Sequence, residues 1–244
     1  MEEIVYHTNY RLEDTYWWFL ARNEIIGKII EKITSLEKGE QILDAGCGTG
    51  GFSKYLSKKY DVICLDFSET ALDYCRRRGL TKLYKTTISE FPKEQFNIKA
   101  VTMFDVVEHV DDDAGFLRQA YNALPEGGWI ISTVPAYMWL WSRHDDVHQH
   151  KRRYTISGFR NLVENGGFKI EYSSYFNFFL FLPAVLKRFL DDKLHKEKKN
   201  ESPVDEVSPF VNRLFKAVFT FEKFFLPALK FPFGLSIALV ARKI

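Results

Sequence analysis

Three of the chain's six histidines fall in one short stretch, "RHDDVHQHKRRY", Arg143 to Tyr154. An imidazole titrates near neutral pH and can take a proton from a nucleophile. That makes His144 and His148 candidate bases. His150, Arg152 and Arg153 are candidate contacts for an anionic acceptor, since guanidinium groups grip phosphate or carboxylate in a bidentate fork. The plain alternative is a solvated charge run, with the cations paired to Asp145 and Asp146. Zinc would want cysteines or a histidine from a third element, and no cysteine lies nearby. A second group, Asp105, Glu108 and His109, sits in "FDVVEHVDDD". Two carboxylates and an imidazole could hold a divalent ion, with a fourth ligand from His144, His148 or His150. The reading preferred here has no metal and places His109 as a catalytic residue beside a bound cofactor.

A third segment, "ILDAGCGTGG", names the ligand class more closely. Gly46, Gly48 and Gly50 follow a short apolar strand and precede a helix. Glycines there allow a tight turn and a close backbone approach, and the helix N-terminus points N–H groups at the ligand. Gly46, Gly48 and Gly51 also satisfy the dinucleotide spacing G-x-G-x-x-G. Asp44 tilts against NAD, because a carboxylate beside a pyrophosphate is repulsive but suits an ammonium group. Asp66 ends the next strand, where an acid accepts hydrogen bonds from ribose hydroxyls in either cofactor class.

"DAGCGTG" together with Asp66 resembles the first two motifs of class I S-adenosylmethionine-dependent methyltransferases. "TISEFP", "FDVVEHVDD" and "LPEGGWIISTVP" resemble later segments of the same family, and the likeness covers about residues 40–170. It implies that Asp44, Gly46, Cys47, Gly48, Gly50, Asp66, Phe67, Thr87, Ile88, Phe104 and Asp105 hold S-adenosyl-L-methionine. Thr87 stands where the family usually has an acid beside the adenine, and its hydroxyl is a weaker acceptor. A narrower likeness takes in "EDTYWWFLARNEII", the histidine stretch and the closing "FPFGLSIALVARK". These resemble a bacterial subgroup that accompanies cell-surface glycan or lipid biosynthesis. The function implied is methyl transfer to a small-molecule, glycan or lipid-linked acceptor, more readily at oxygen. The alternatives are an NAD(P)-dependent oxidoreductase and a non-catalytic SAM-binding module.

The elements that must position these residues follow from periodicity. Residues 10–35 read as a helical segment with apolar residues at helical spacing. Short apolar strands then alternate with helices, Ser68 and Thr155 serving as N-caps and Gly79 and Gly166 as stops. This alternation predicts an α/β fold with a mostly parallel sheet and helices on both faces. The family resemblance makes the sheet seven-stranded and Rossmann-like, with an antiparallel last strand. One methyltransferase domain is expected over 1–244: an N-terminal helical cap (1–38), a cofactor-binding core (39–175), an aromatic-rich helical insertion (176–232) and a last strand (233–244). "YWWF" packs over the cofactor cleft, with acceptor stacking by Trp18 as the alternative role.

The chain has 244 residues, 46% of them hydrophobic and 27% charged, and a net charge of +2. That balance offers no basic surface for nucleic acid. Three cysteines without a CxxC pair suit a reducing compartment, and the N-terminus shows no signal-peptide pattern, so a cytoplasmic protein is expected. In the insertion, Phe210, Leu214, Val218, Phe221 and Phe225 recur at roughly helical spacing with Arg213, Lys216 and Lys223 between them. Three uses fit this pattern: a lid over the active site, a peripheral membrane contact and a homodimer contact. The polar stretch 190–209 reads as an exposed linker.

Overall fold

The computed structural model describes residues 3–193 and 207–244. Seven strands form one sheet in the order β3-β2-β1-β4-β5-β7-β6. They are β1 (Gln41–Ala45), β2 (Asp61–Asp66), β3 (Leu83–Lys85), β4 (Ile98–Phe104), β5 (Trp129–Pro135), β6 (Phe168–Phe176) and β7 (Ser236–Lys243). Strands β1 to β5 pair in parallel, and β7 runs antiparallel between β5 and β6. The mostly parallel sheet is the one the strand-helix alternation predicted, and its seven strands with an antiparallel last strand are what the family resemblance implied.

Both faces are covered, which is why the central strands read as unbroken apolar runs. Neighbours in β1 point to opposite faces: Ile42 joins one core cluster and Leu43 the other. On the first face lie α2 (Trp17–Ile33), α3 (Gly51–Leu56), α4 (Glu69–Arg77) and α9 (Pro209–Phe221). On the second lie α5 (Asp113–Ala123) and α7 (Ile156–Asn165). The predicted caps hold: the Ser68 hydroxyl accepts from the Ala71 N–H at 3.3 Å, and that of Thr155 from the Gly158 N–H at 3.1 Å.

The N-terminal segment differs from the single helix expected over 10–35. It is split into α1 (Glu3–Leu12) and α2, with a turn at 13–16. At the break, the Glu13 carboxylate bonds the glycine loop. The helical insertion contains α8 (Phe181–Lys193) and α9. Helix α9 docks on α2: Asn212 accepts from the Trp17 N–H at 2.8 Å, and Phe219 is buried between Trp17 and Phe176. The linker expected at 190–209 lies largely outside the described residues. Among the described residues no helix is long and apolar enough to cross a membrane.

Candidate active site

The loop between β1 and α3 is built by its glycines. Gly46, Gly48 and Gly50 adopt φ of +76°, +55° and +80°. A Cβ at Gly46 would also lie 2.8 Å from a Val106 methyl carbon. Glu13 closes the loop from above: its Oε2 accepts from Thr49 Oγ1 at 2.6 Å and from the Gly51 N–H at 3.0 Å. A carboxylate is well placed at this helix N-terminus, where unsatisfied N–H groups carry partial positive charge.

Asp44 lies beneath the loop, buried, and accepts from the Ser53 hydroxyl and from Thr102 Oγ1 at 2.7 Å. Burial pushes its carboxyl up to about 7. Asp66 accepts from the Gly48 N–H at 3.0 Å and the Ser68 N–H at 2.9 Å, so it braces the loop; burial raises its pKa as well. Asp105 follows β4 in the left-handed region, φ +54°. It accepts from Arg22 Nη1 at 2.5 Å and Thr133 Oγ1 at 3.1 Å. Arg22 in turn lies over the Trp18 ring, 4.6 Å from its centroid.

The histidine stretch is not a loose connector. Residues Arg143–His148 form a short helix, α6, capped by Ser142 and Asp145. Asp145 is fully buried and organises the segment. Its carboxylate takes both arms of Arg153, at 2.7 and 2.9 Å, and receives His150 Nδ1–H at 2.8 Å. These partners hold the Asp145 carboxyl well below the usual carboxylate range, against the opposing effect of burial. Arg152 points elsewhere, donating to Asp113 at 2.7 Å and to the Asp111 carbonyl at 2.9 Å. The two arginines expected to grip an anionic acceptor therefore make internal ion pairs. His148 Nδ1 lies 2.9 Å from the His144 carbonyl. A carbonyl can only accept, so Nδ1 carries the proton and Nε2 keeps the lone pair. Burial lowers the His148 pKa, and burial with two neighbouring imidazoles lowers that of His109 to about 4.

A cavity of about 600 Å³ joins these parts. One end is walled by Asp44, Gly46, Cys47, Gly48, Phe104 and Asp105; the other by Glu108, His109, His144, His148, His150 and Arg153. Trp18 lies along its side. Gly50, Asp66, Phe67, Thr87, Ile88 and Arg152 do not line it. Phe67 is 70% exposed, Ile88 packs in the core, and the Thr87 hydroxyl pairs with Ser89 at 2.9 Å and Glu90 at 3.2 Å. Among the contributors that escaped the sequence reading are Tyr6 and Glu13 from the α1 end, and Arg22 from α2. Arg22 carried one signal, a lone cation on the apolar face of "WWFLARNEII".

Residues 18–173 match the sequence profile of the methyltransferase domain family, and the chain belongs to that family. Among its relatives is a Mycolicibacterium smegmatis protein named "Probable S-adenosylmethionine-dependent methyltransferase", 26% identical over 163 residues, 65% of this chain and 62% of that one. Another is the ubiquinone biosynthesis O-methyltransferase of Hydrogenovibrio crunogenus, 33% identical over 47% of this chain and 54% of that one. These alignments span roughly half to three-fifths of the relatives' length. Among solved structures, a SAM-dependent methyltransferase from Archaeoglobus fulgidus superposes with a TM-score of 0.57 at 18% identity, covering 93% of this chain and 99% of that one. The fold is therefore that of the class I methyltransferases, as the glycine loop implied.

Proposed function

We propose that the protein moves a methyl group from S-adenosyl-L-methionine to an oxygen of a small or lipid-linked acceptor. The observation that carries this is the continuity of one cavity from the glycine loop to the imidazoles of His109, His144, His148 and His150. The residues present fit the cofactor. Gly46 leaves a cradle that a Cβ would fill, and the buried Arg22 has an Nε without a hydrogen-bond partner, available to a carboxylate. When bound, the sulfonium supplies an activated methyl and a neutral leaving group. Gly46 and Gly48 admit the cofactor to close backbone contact. Asp66 would meet the ribose hydroxyls only by giving up a backbone partner, and Thr87 and Ile88, which do not line the cavity, carry no part of this reading.

The chain's remaining task is to align the acceptor and remove its proton. Orientation in such a site contributes about 7–11 kcal/mol to lowering the barrier. His148 is the base, since burial keeps it neutral and its Nε2 is unprotonated. His144 packs against it with the rings tilted and their centroids 4.0 Å apart. Trp18 and the α8 residues Pro183 and Ala184 give the acceptor an apolar wall. This supports an acceptor with an apolar part, and with it peripheral contact of the insertion with a membrane. The narrower bacterial subgroup is supported by the same two motifs, "YWWF" and the histidine stretch, which meet at this cavity.

Calorimetry with S-adenosylhomocysteine and with NAD tests the cofactor. Saturable binding of the first and none of the second is expected; the reverse result overturns the proposal. With an acceptor in hand, His148→Ala should lower kcat by about 10²–10⁴-fold with little change in cofactor affinity.

A further inference from the structure

Glu108 is fully buried, and neither of its carboxylate oxygens has a hydrogen-bond partner among the described residues. A carboxylate in that setting is strongly unfavourable, so the group either carries a proton or meets a cation or donor. Two imidazoles are grouped with it, and the charges of Arg153, Asp105 and Asp145 also act on it. His109 and His150 stand edge to face with centroids 4.7 Å apart, and His150 Nε2 lies 4.0 Å from Glu108 Oε1. One ligand atom from each of the three lies within 4.8 Å of the others. We propose that Glu108, His109 and His150 bind a divalent transition-metal cation.

A second feature points the same way. His150 Nδ1 donates to Asp145, and Arg153 locks Asp145 with two further bonds. The outer nitrogen of a metal-binding histidine is commonly held by a carboxylate in this manner, which fixes the tautomer and presents the other nitrogen to the metal. Here the fixed nitrogen is Nδ1 and the presented one is Nε2, on the Glu108 side. The set also differs from the one that spacing nominated. Asp105 is engaged by Arg22 and Thr133 and is not part of the cluster, so His150 supplies the third ligand.

Two imidazoles and one carboxylate suit iron(II), cobalt, manganese or zinc better than calcium or magnesium, which favour oxygen ligands. All three residues line the cavity, so a bound cation would be within reach of the acceptor space. A bound acceptor hydroxyl there would lose its proton more readily, to His148. That role rests on the methyl-transfer reading; binding of the cation does not.

Cobalt(II) alone is the probe. The full chain, stripped with a chelator, is titrated with Co²⁺ and followed by its visible absorption bands. One equivalent should bind saturably, and His150→Ala, His109→Ala and Glu108→Gln should each weaken binding at least tenfold. A cooperative thermal melt and an unchanged circular-dichroism spectrum certify that a variant is folded; if one variant fails that check, the wild-type titration and the other two decide. Absence of saturable uptake, or wild-type uptake by His150→Ala, overturns the site. Cobalt uptake without S-adenosylhomocysteine binding would leave the metal site standing and remove the methyl-transfer reading.

Discussion

Gly46 and Gly48 look equivalent in the sequence, yet they carry different constraints. Both have positive φ, which costs an L-residue about 1–2 kcal/mol. At Gly48 that is the whole cost, because a Cβ there meets nothing within 4 Å. At Gly46 a Cβ also strikes the Val106 methyls, one at 2.8 Å, and Val106 belongs to the turn that sets Asp105. Gly46→Ala should therefore weaken S-adenosylhomocysteine binding at least tenfold and lower Tm; Gly48→Ala should cost about 1 kcal/mol of stability. Calorimetry and thermal melts check both, and equal effects would contradict this account. The glycines and Asp44 were legible because consecutive residues build the loop, and Asp66 because it ends the neighbouring strand, although it braces the loop rather than lining the cavity. Glu13 and Arg22 were not, because tertiary packing of the N-terminal helices, rather than local spacing, brings them to the site. The histidine stretch was half legible. Its place after β5 could be read, but not that Asp145 would capture His150 and Arg153.

At the scale of elements, one buried carboxylate joins the two ends of the helical insertion. Glu222, just past α9, accepts from the backbone N–H groups of Asn177, Phe178 and Phe179 at 2.8, 2.7 and 3.2 Å. It thereby ties the end of β6 to the end of α9. Glu222→Ala leaves three donors without an acceptor, each costing about 1–3 kcal/mol when buried. A loss of about 3 kcal/mol or more is expected in chemical denaturation. Burial raises the Glu222 carboxyl to about 7, against an ordinary value of 4.5. The folded state therefore holds a proton that the unfolded state releases between those values, and stability falls as pH rises through that window. Relative to Glu222→Gln, the wild type should lose about 3 kcal/mol between pH 4.5 and 7. Taking the difference removes the slopes that Asp44 and the buried histidines contribute equally to both proteins. A flat difference would show that Glu222 stays ionised throughout. None of this was legible in "FTFEKFF", where one acid among phenylalanines reads as a surface residue. The strands were legible, since burial on both faces writes continuous apolar runs.

For the whole molecule, the question is what the insertion's outer surface meets. Helix α9 is apolar on two sides. Phe215 and Phe219 pack inward toward Trp17, whereas Phe210, Leu214 and Phe221 face outward, 75%, 48% and 50% exposed. Leu182 and Leu186 on α8 and Phe224 beyond α9 are further exposed apolar side chains of the insertion, at 68%, 60% and 72% exposure. Of the cations read as its polar partners, Lys216 and Lys223 pair with Glu24 of α2, at 3.4 and 2.6 Å. They fasten the helix to the body of the protein. Arg213 remains exposed on α9. A surface of this kind gains more from burying apolar side chains than from attracting anionic headgroups. Each fully buried Phe or Leu contributes about 1.5–3 kcal/mol. Vesicle flotation should therefore carry the protein with neutral phosphatidylcholine vesicles, and added anionic lipid should strengthen binding only modestly. Phe210→Asp together with Leu214→Asp should weaken flotation more than tenfold. Because both residues lie on the far side of α9 from Trp17, S-adenosylhomocysteine binding should be unchanged. A protein that ignored both vesicle types would limit the insertion to roofing the acceptor cavity. One that needed anionic lipid throughout would reverse the ranking of apolar over electrostatic contributions.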